Sequence, residues 1–280
     1  MAATVLVLMF FGSASVTFGH GEVHVQIQAI TQRLATNSNA QLYLERGELY
    51  RLDRDWEAAE GDYARAEQGG VDLSAVNLAR AQMLVDKGEF AGAKETLDLV
   101  ILATPNSSAA HIARARVLVR LDQGGLALAD YETGLNSASR LESKCFLEWA
   151  RALVSLQRKQ DAVVVLNKGL RLAGYDEEIQ SYAIEIELGL EKKEDALARL
   201  DSIIEHSDRK ERWLARRGDL LITLGRVAEA RTSYADALNA IARLPHVLQR
   251  TPHTLTLKMQ IEKALTGLAG GLDKAETAKL

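Results

Sequence analysis

Two histidines near the start of the chain, His20 and His24, have a spacing that could hold a metal ion. They lie four positions apart, so they would share one face of a helix. If the chain were cleaved near Gly19 or Gly21, a free terminal amine beside a histidine could also bind Cu(II) or Ni(II). Two ligands do not close a metal site, and a solvated terminal segment accounts for the same residues. His20 and His24 are therefore weak metal candidates, and the sequence predicts no cofactor.

Signatures of catalytic chemistry are absent from the rest of the sequence. It contains no GxSxG, no GxxxxGK[ST], no HExxH and no paired CxxC. The single cysteine, Cys145, has no base beside it in the sequence, and we interpret it as a small buried apolar residue. We predict that the protein is not an enzyme.

The elements that must position any functional residue repeat along the chain. Six alanines recur at spacings of 34, 34, 35, 34 and 34 residues: Ala59, Ala93, Ala127, Ala162, Ala196 and Ala230. A second series of small residues would let two helices approach closely, with Ile184 as its exception: Gly47, Ala81, Ala115, Ala150 and Gly218. Apolar residues three or four positions after these form one stripe per helix. A fixed period of this length is typical of a solenoid of stacked helical hairpins.

The repeated segment resembles the tetratricopeptide repeat between Ala40 and Leu244. The subtype is one whose first helix reads RGxxY and whose second reads ADY or GDY, and the stretches Arg46-Gly47 to Tyr50 and Asp62-Tyr63 fit it fully. The resemblance implies an all-α, right-handed superhelical solenoid of about six hairpins, at 40–73, 74–107, 108–142, 143–176, 177–210 and 211–245. The fifth is the least regular, because Glu187 lies where the stripe requires an apolar residue. An ordinary helical bundle is the alternative, but a bundle has no reason to keep one register over six hairpins.

The segments on either side of the repeats are predicted to cap the array. Residues 20–39 contain an amphipathic helix with Val23, Ile27, Ile30 and Leu34 on one face. Residues 246–270 contain a closing helix that begins at Thr251-Pro252 and ends at Gly270-Gly271, followed by a tail at 271–280. Solenoids need such caps, since otherwise the terminal apolar faces stay open.

Residues 1–19 have the pattern of a signal peptide, with an uncharged apolar run followed by small residues. The run is shorter than the roughly 20 apolar residues of a membrane span. No lysine or arginine precedes it, which departs from the usual signal-peptide pattern. We expect an exported protein, periplasmic or secreted. A buried first helix of a cytosolic protein, or a membrane-associated assembly component that keeps its apolar start, are the alternatives.

The resemblance also implies a ligand surface, the concave groove formed by the first helix of each hairpin. The expected groove residues are Glu48, Gln82, Arg116, Arg120, Arg151 and Lys144. The middle of the groove is basic, so it would accept an acidic segment or a C-terminal carboxylate through charge-assisted hydrogen bonds. Pairing of these arginines with neighbouring carboxylates of the array is an equally weighted alternative. Arg46 and Arg114 are predicted to be structural, because each lies sixteen residues before an aspartate, Asp62 and Asp130 respectively.

The charge of the chain limits the class of partner. The formal net charge of −4 at pH 7 gives no general attraction to phosphate backbones, so nucleic acid is not expected. The sequence predicts a non-enzymatic scaffold or adaptor that binds a protein or peptide, with metal handling by the N-terminal segment as an alternative.

Overall fold

A computed structural model describes residues 20–37, 39–139 and 142–277, and within them every regular element is an α-helix. The helices of the first part of the chain are α1 (His20–Thr36), α2 (Ala40–Leu52), α3 (Trp56–Gln68), α4 (Leu73–Lys87), α5 (Phe90–Ala103), α6 (Ser108–Arg120), α7 (Gly124–Asn136) and α8 (Ser143–Ser155). Those that follow are α9 (Lys159–Ala173), α10 (Glu177–Leu188), α11 (Lys193–His206), α12 (Glu211–Thr223), α13 (Val227–Arg243), α14 (His246–Gln249) and α15 (Pro252–Thr277).

The helices pack with their neighbours in sequence inside each of two compact units, the first ending at Leu156 and the second beginning at Gln157. In the first unit α2 packs against α3, α4 against α5 and α6 against α7, and each second helix also contacts the first helix of the next hairpin. In the second unit α10 pairs with α11 and α12 with α13, while α9 contacts α10 and α15 contacts α13. Packing mainly between sequence neighbours is typical of a solenoid. The predicted all-α solenoid of helical hairpins is confirmed.

The backbone turns repeat with the same period as the marker alanines, all six of which are fully buried. One residue between the two helices of each repeat has φ between 58° and 81°, in the left-handed region: Arg54, Gly88, Asp122, Gln157, Glu191 and Gly225. Only two of the six are glycine, and a left-handed conformation costs other residues about 1–2 kcal/mol. The turn geometry therefore follows from hairpin packing rather than from glycine.

Both ends of the solenoid carry extra helices. Helix α1 packs on α2 and buries Val23 and Ile27, as the amphipathic pattern predicts. At the other end α15 begins at Pro252, but it runs to Thr277, so the prediction that Gly270-Gly271 ends it is wrong. Each glycine costs a helix about 1 kcal/mol, and the Ala, Leu, Lys and Glu residues that follow favour the helix enough for it to continue.

Buried ion pairs connect the helices of a hairpin. Arg46 Nε and Nη2 donate to Asp62 at 2.6 and 2.9 Å, and Arg114 Nε and Nη2 donate to Asp130 at 2.7 Å each. Arg114 Nη1 also donates to Asp98 Oδ1 of the preceding hairpin at 2.7 Å. The two predicted pairs are thus confirmed, and one of them also bridges successive hairpins.

In the irregular fifth repeat, the buried carboxylate of Glu187 is paired with an arginine. This carboxylate is 2% exposed and accepts a hydrogen bond from Arg199 Nε at 2.8 Å. Arg199 also donates to Gln180 Oε1 at 2.8 Å and Asn167 Oδ1 at 2.7 Å. A hydrogen-bonded arginine therefore replaces the apolar contact that the stripe supplies elsewhere, so that the buried charge has a partner.

Candidate functional site

A cavity of about 360 Å³ in the first unit contains the three arginines predicted to bind a ligand. Arg116 and Arg120 lie one turn apart on α6, and Arg151 lies on α8. Glu148, one turn before Arg151, lines the same cavity. The apolar wall comes from Val85, Phe90, Val119 and Tyr131. We call this site the arginine cavity, and its four charged side chains have a formal charge of +2.

Helix α8 presents its polar residues to the arginine cavity because its other face is strongly apolar. Phe146, Leu147 and Leu153 are at most 2% exposed, and Ala150 is fully buried. Residues 148, 151 and 155 repeat at a helical spacing and line the cavity. The two charged groups that α8 contributes to the cavity, Glu148 and Arg151, are therefore placed by the packing of its hydrophobic side.

Arg116 forms an ion pair inside the arginine cavity. Its Nε donates to Glu148 Oε2 at 2.7 Å, and the side chains are 27% and 18% exposed. Burial alone would lower the pKa of Arg116, but the Glu148 carboxylate outweighs it and raises the pKa above its ordinary value. For this arginine the alternative prediction, pairing with a neighbouring carboxylate, is the one observed.

Arg120 and Arg151 present more exposed guanidinium groups to the arginine cavity. The Arg120 guanidinium carbon lies 4.4 Å from the centroid of the Phe90 ring, within the range of a cation–π contact. This contact fixes the charged group over an aromatic face while the side chain stays exposed. Arg151 is also exposed, and it lines the cavity from the α8 side.

The other predicted groove residues lie outside the lining of the arginine cavity. Gln82 Nε2 donates to Asp86 Oδ1 at 3.0 Å, and Lys144 lies partly exposed in the first turn of α8. Glu48 is 4% exposed and accepts hydrogen bonds from Tyr63 Oη at 2.5 Å and Arg51 Nε at 3.0 Å. Burial raises the pKa of Glu48 despite these contacts. Its carboxylate is an internal acceptor, which corrects the prediction that it lines an open groove.

Of the two predicted metal candidates, the structure describes the side chain of His24 alone. His24 is exposed, and its Nδ1 lies 3.7 Å from Asp53 Oδ2. His20 begins α1, and its side chain lies outside the described residues. Within residues 20–37, 39–139 and 142–277, no three His, Cys, Asp or Glu side chains form a group that could hold a metal ion.

Cys145 lies beneath Arg116, with its Sγ 3.8 Å from Arg116 Nη2. It is 5% exposed, and burial raises its pKa to about 11. A thiol in this state is a poor nucleophile at neutral pH. Its interpretation as a small buried residue agrees with this environment.

The predicted signal peptide, residues 1–19, lies outside the described residues. Of the helices that the structure describes, none combines the length and the apolar character needed to span a membrane.

Sequence reasoning missed several residues of the arginine cavity and a buried histidine. Glu148 and Phe90 contact two of the predicted arginines. The only signal for Glu148 in the sequence was its helical spacing from Arg151, and Phe90 had no such signal. His111 is 7% exposed, with Nδ1 2.8 Å from Asp130 Oδ1 and Nε2 2.8 Å from the Pro105 carbonyl oxygen. It connects the start of α6 to α7 and to the preceding loop.

Solved structures with a similar fold include repeat proteins. One is the C-terminal part of a tetratricopeptide (TPR) repeat-containing protein from Cytophaga hutchinsonii, with 13% identity over 81% of this chain and 93% of that one and a TM-score of 0.60. The chain has the TPR fold. Another match is PilW, described as a type IV pilus biogenesis factor, with 18% identity, coverage of 69% of this chain and 91% of that one, and a TM-score of 0.55. A third is YrrB, described as a TPR protein with an unusual peptide-binding site, with 16% identity, coverage of 66% and 94%, and a TM-score of 0.50. No protein-family model and no curated protein matches this chain.

Proposed function

We propose that this protein is a non-enzymatic scaffold or adaptor that binds a segment of a partner protein in the arginine cavity. The observation that carries the proposal is that Arg116, Arg120 and Arg151 line one cavity, which also has an apolar wall. Peptide sites of this kind combine a few placed polar groups with a largely apolar lining. The TPR fold supports the proposal, since YrrB, a protein of similar fold, is described as having a peptide-binding site.

The proposed ligand is an acidic segment with at least one apolar side chain. Arginine binds carboxylates through two parallel hydrogen bonds, which gives both affinity and orientation. The formal charge of +2 on the cavity contrasts with the net charge of −4 on the whole chain, so an acidic ligand is directed to this surface.

We also infer that the protein is exported. The apolar run within residues 1–19 supports this, as does the similar fold of a pilus biogenesis factor. Mass spectrometry of the protein purified from its native host tests the inference: a mature chain that begins near Gly19 or Gly21 is expected, and an intact Met1 would contradict it.

Binding of the proposed ligand is tested by reversing the charge of two arginines. In Arg120→Glu/Arg151→Glu the cavity would repel an acidic peptide, so we expect its affinity to fall by at least tenfold for each lost charge-assisted contact. Arg116 is left unchanged because it is paired with Glu148. The measurements are calorimetric titration with acidic peptides and capture of partners from a native extract.

The matched control is Arg171→Glu/Arg243→Glu, which makes the same charge change at two exposed positions of second helices outside the cavity. It is expected to bind as the wild type does. Circular dichroism confirms that both variants keep their helices. Equal binding by the wild type and the cavity variant would refute the proposed site.

A further inference from the structure

The arginine cavity already contains one carboxylate, that of Glu148. Its Oε2 lies 2.7 Å from Arg116 Nε, with both side chains largely buried. The contact joins α6 to α8 and spans 32 residues of sequence. A ligand carboxylate that approached Arg116 would therefore meet a negative group of the protein at the same guanidinium.

Arg120 differs from Arg116 in its surroundings. Arg120 lies over the ring of Phe90, an uncharged partner that leaves its positive charge in place. Arg151 is exposed on α8. Positive potential for a ligand is thus expected at Arg120, while at Arg116 it is offset by Glu148.

The size of the cavity limits how much of a peptide it can hold. Its volume of about 360 Å³ is near the lower end of ligand sites, and its wall of Val85, Phe90, Val119 and Tyr131 is apolar. One apolar side chain with a carboxylate beside it matches this combination. A second carboxylate would have to enter near Glu148, where like charges repel.

We propose that Glu148 is a specificity-determining residue that limits the number of carboxylates the arginine cavity accepts. This inference rests on the proposed function of the cavity. A ligand carboxylate binds Arg120, its apolar neighbour packs on the Phe90 wall, and Glu148 excludes a second carboxylate from Arg116. Selection of this kind comes from a repulsive group in the site rather than from an additional attraction.

The test uses acetylated and amidated peptides SGQLSG, SGELSG and SGELEG, which carry none, one and two carboxylates. The wild type should bind SGELSG better than SGQLSG and should gain little from the second carboxylate of SGELEG. Glu148→Gln removes the charge but keeps an oxygen that can accept from Arg116. In this variant SGELEG should bind about tenfold more tightly than SGELSG, the effect of one added charge-assisted contact.

Two further variants separate the charge of Glu148 from its packing. Glu148→Asp keeps the charge, so it should retain the wild-type ratio of the two affinities. Glu132→Gln removes a carboxylate from an exposed position of α7 outside the cavity lining, and it should also leave the ratio unchanged. Unfolding midpoints of all variants report any loss of structure.

The outcomes distinguish the two proposals. If the wild type prefers SGELSG to SGQLSG but Glu148→Gln shows the same ratio between SGELEG and SGELSG as the wild type, the role of Glu148 is refuted and the cavity remains a peptide site. If neither protein prefers an acidic peptide to SGQLSG, the cavity is not an acidic-peptide site and both proposals fail.

Discussion

Replacement of Gly47 by alanine tests the close approach that sets the geometry of the first hairpin. A Cβ atom at position 47 would lie 2.7 Å from Tyr63 Cε1 and 2.8 Å from Tyr63 Cδ1. The Tyr63 ring is fully buried, and its hydroxyl donates to Glu48 Oε1 at 2.5 Å, so the ring cannot move aside without breaking that bond. The added methyl group therefore strains the contact between α2 and α3.

The expected change combines two opposite effects. Overpacking of a core contact costs about 1–3 kcal/mol, whereas alanine favours a helix over glycine by about 1 kcal/mol. Gly47→Ala should thus lower the free energy of unfolding by about 0–2 kcal/mol. At Gly61, in α3, the nearest atom to an added Cβ is Arg65 Nη1 at 3.9 Å, so Gly61→Ala should keep the full gain of about 1 kcal/mol.

The test compares the free energies of unfolding of Gly47→Ala and Gly61→Ala. Urea unfolding followed by circular dichroism gives their stabilities, and hydrogen exchange of peptides from α2 and α3 localises the change, since a repeat array need not unfold in one step. In a Tyr63→Leu background, which imitates the Ala81 and Leu97 combination of the second hairpin, the penalty of alanine at position 47 should disappear. A Gly47→Ala protein at least as stable as Gly61→Ala would show that the close approach does not constrain the hairpin.

Three further predictions concern a turn, a thiol and a buried acid. Asp122→Gly should stabilise the protein by up to about 1 kcal/mol in urea unfolding, because Asp122 has φ 58°, and Gly88→Ala, at the equivalent turn, should destabilise it. Cys145, whose pKa is about 11, should react slowly with iodoacetamide in the folded protein at neutral pH and rapidly in denaturant; fast reaction of the folded protein would contradict its burial. Burial raises the pKa of Glu48 in the folded state above 4.5, so its contribution to stability is fully present below the unfolded pKa and is lost as pH rises through the folded pKa. The wild type should therefore gain stability relative to Glu48→Gln as pH falls from neutral towards about 4.5, and a gap that is constant with pH would contradict the assignment.

The fold was readable from the sequence because its determinants lie within one repeat. The six alanines are buried at the same point of each second helix, so their spacing reports the register directly. The pair of Arg46 and Asp62 was readable for the same reason, since a separation of sixteen residues joins the two helices of one hairpin. The end of α15 could not be predicted from the sequence. Gly270-Gly271 is a local stop signal, and the helix-favouring residues after it override that signal.

The arginine cavity was readable only in part, because its contacts join different hairpins. Arg116, Arg120 and Arg151 look alike in sequence, and the resemblance to tetratricopeptide repeats implied that they share one surface. Their partners separate them: Arg116 is paired with Glu148 across 32 residues, while Arg120 lies on Phe90. Contacts between hairpins depend on the length and direction of the side chains as well as on the repeat spacing. Sequence spacing alone therefore cannot assign these contacts.

The difference between the arginines decides which substitution reports on ligand binding. Removing Arg116 would leave the Glu148 carboxylate, 18% exposed, without the cation that stabilises it, and loss of one partner of a largely buried pair is strongly destabilising. A variant with lower stability and a variant with lower affinity for the ligand would then give the same result in a capture experiment. The cation–π contact of Arg120 with Phe90 is worth only about 0.5–1 kcal/mol at an exposed site, so its replacement changes the charge of the cavity with little effect on stability. At Arg120, therefore, a loss of binding can be attributed to the lost contact with the ligand rather than to a loss of stability.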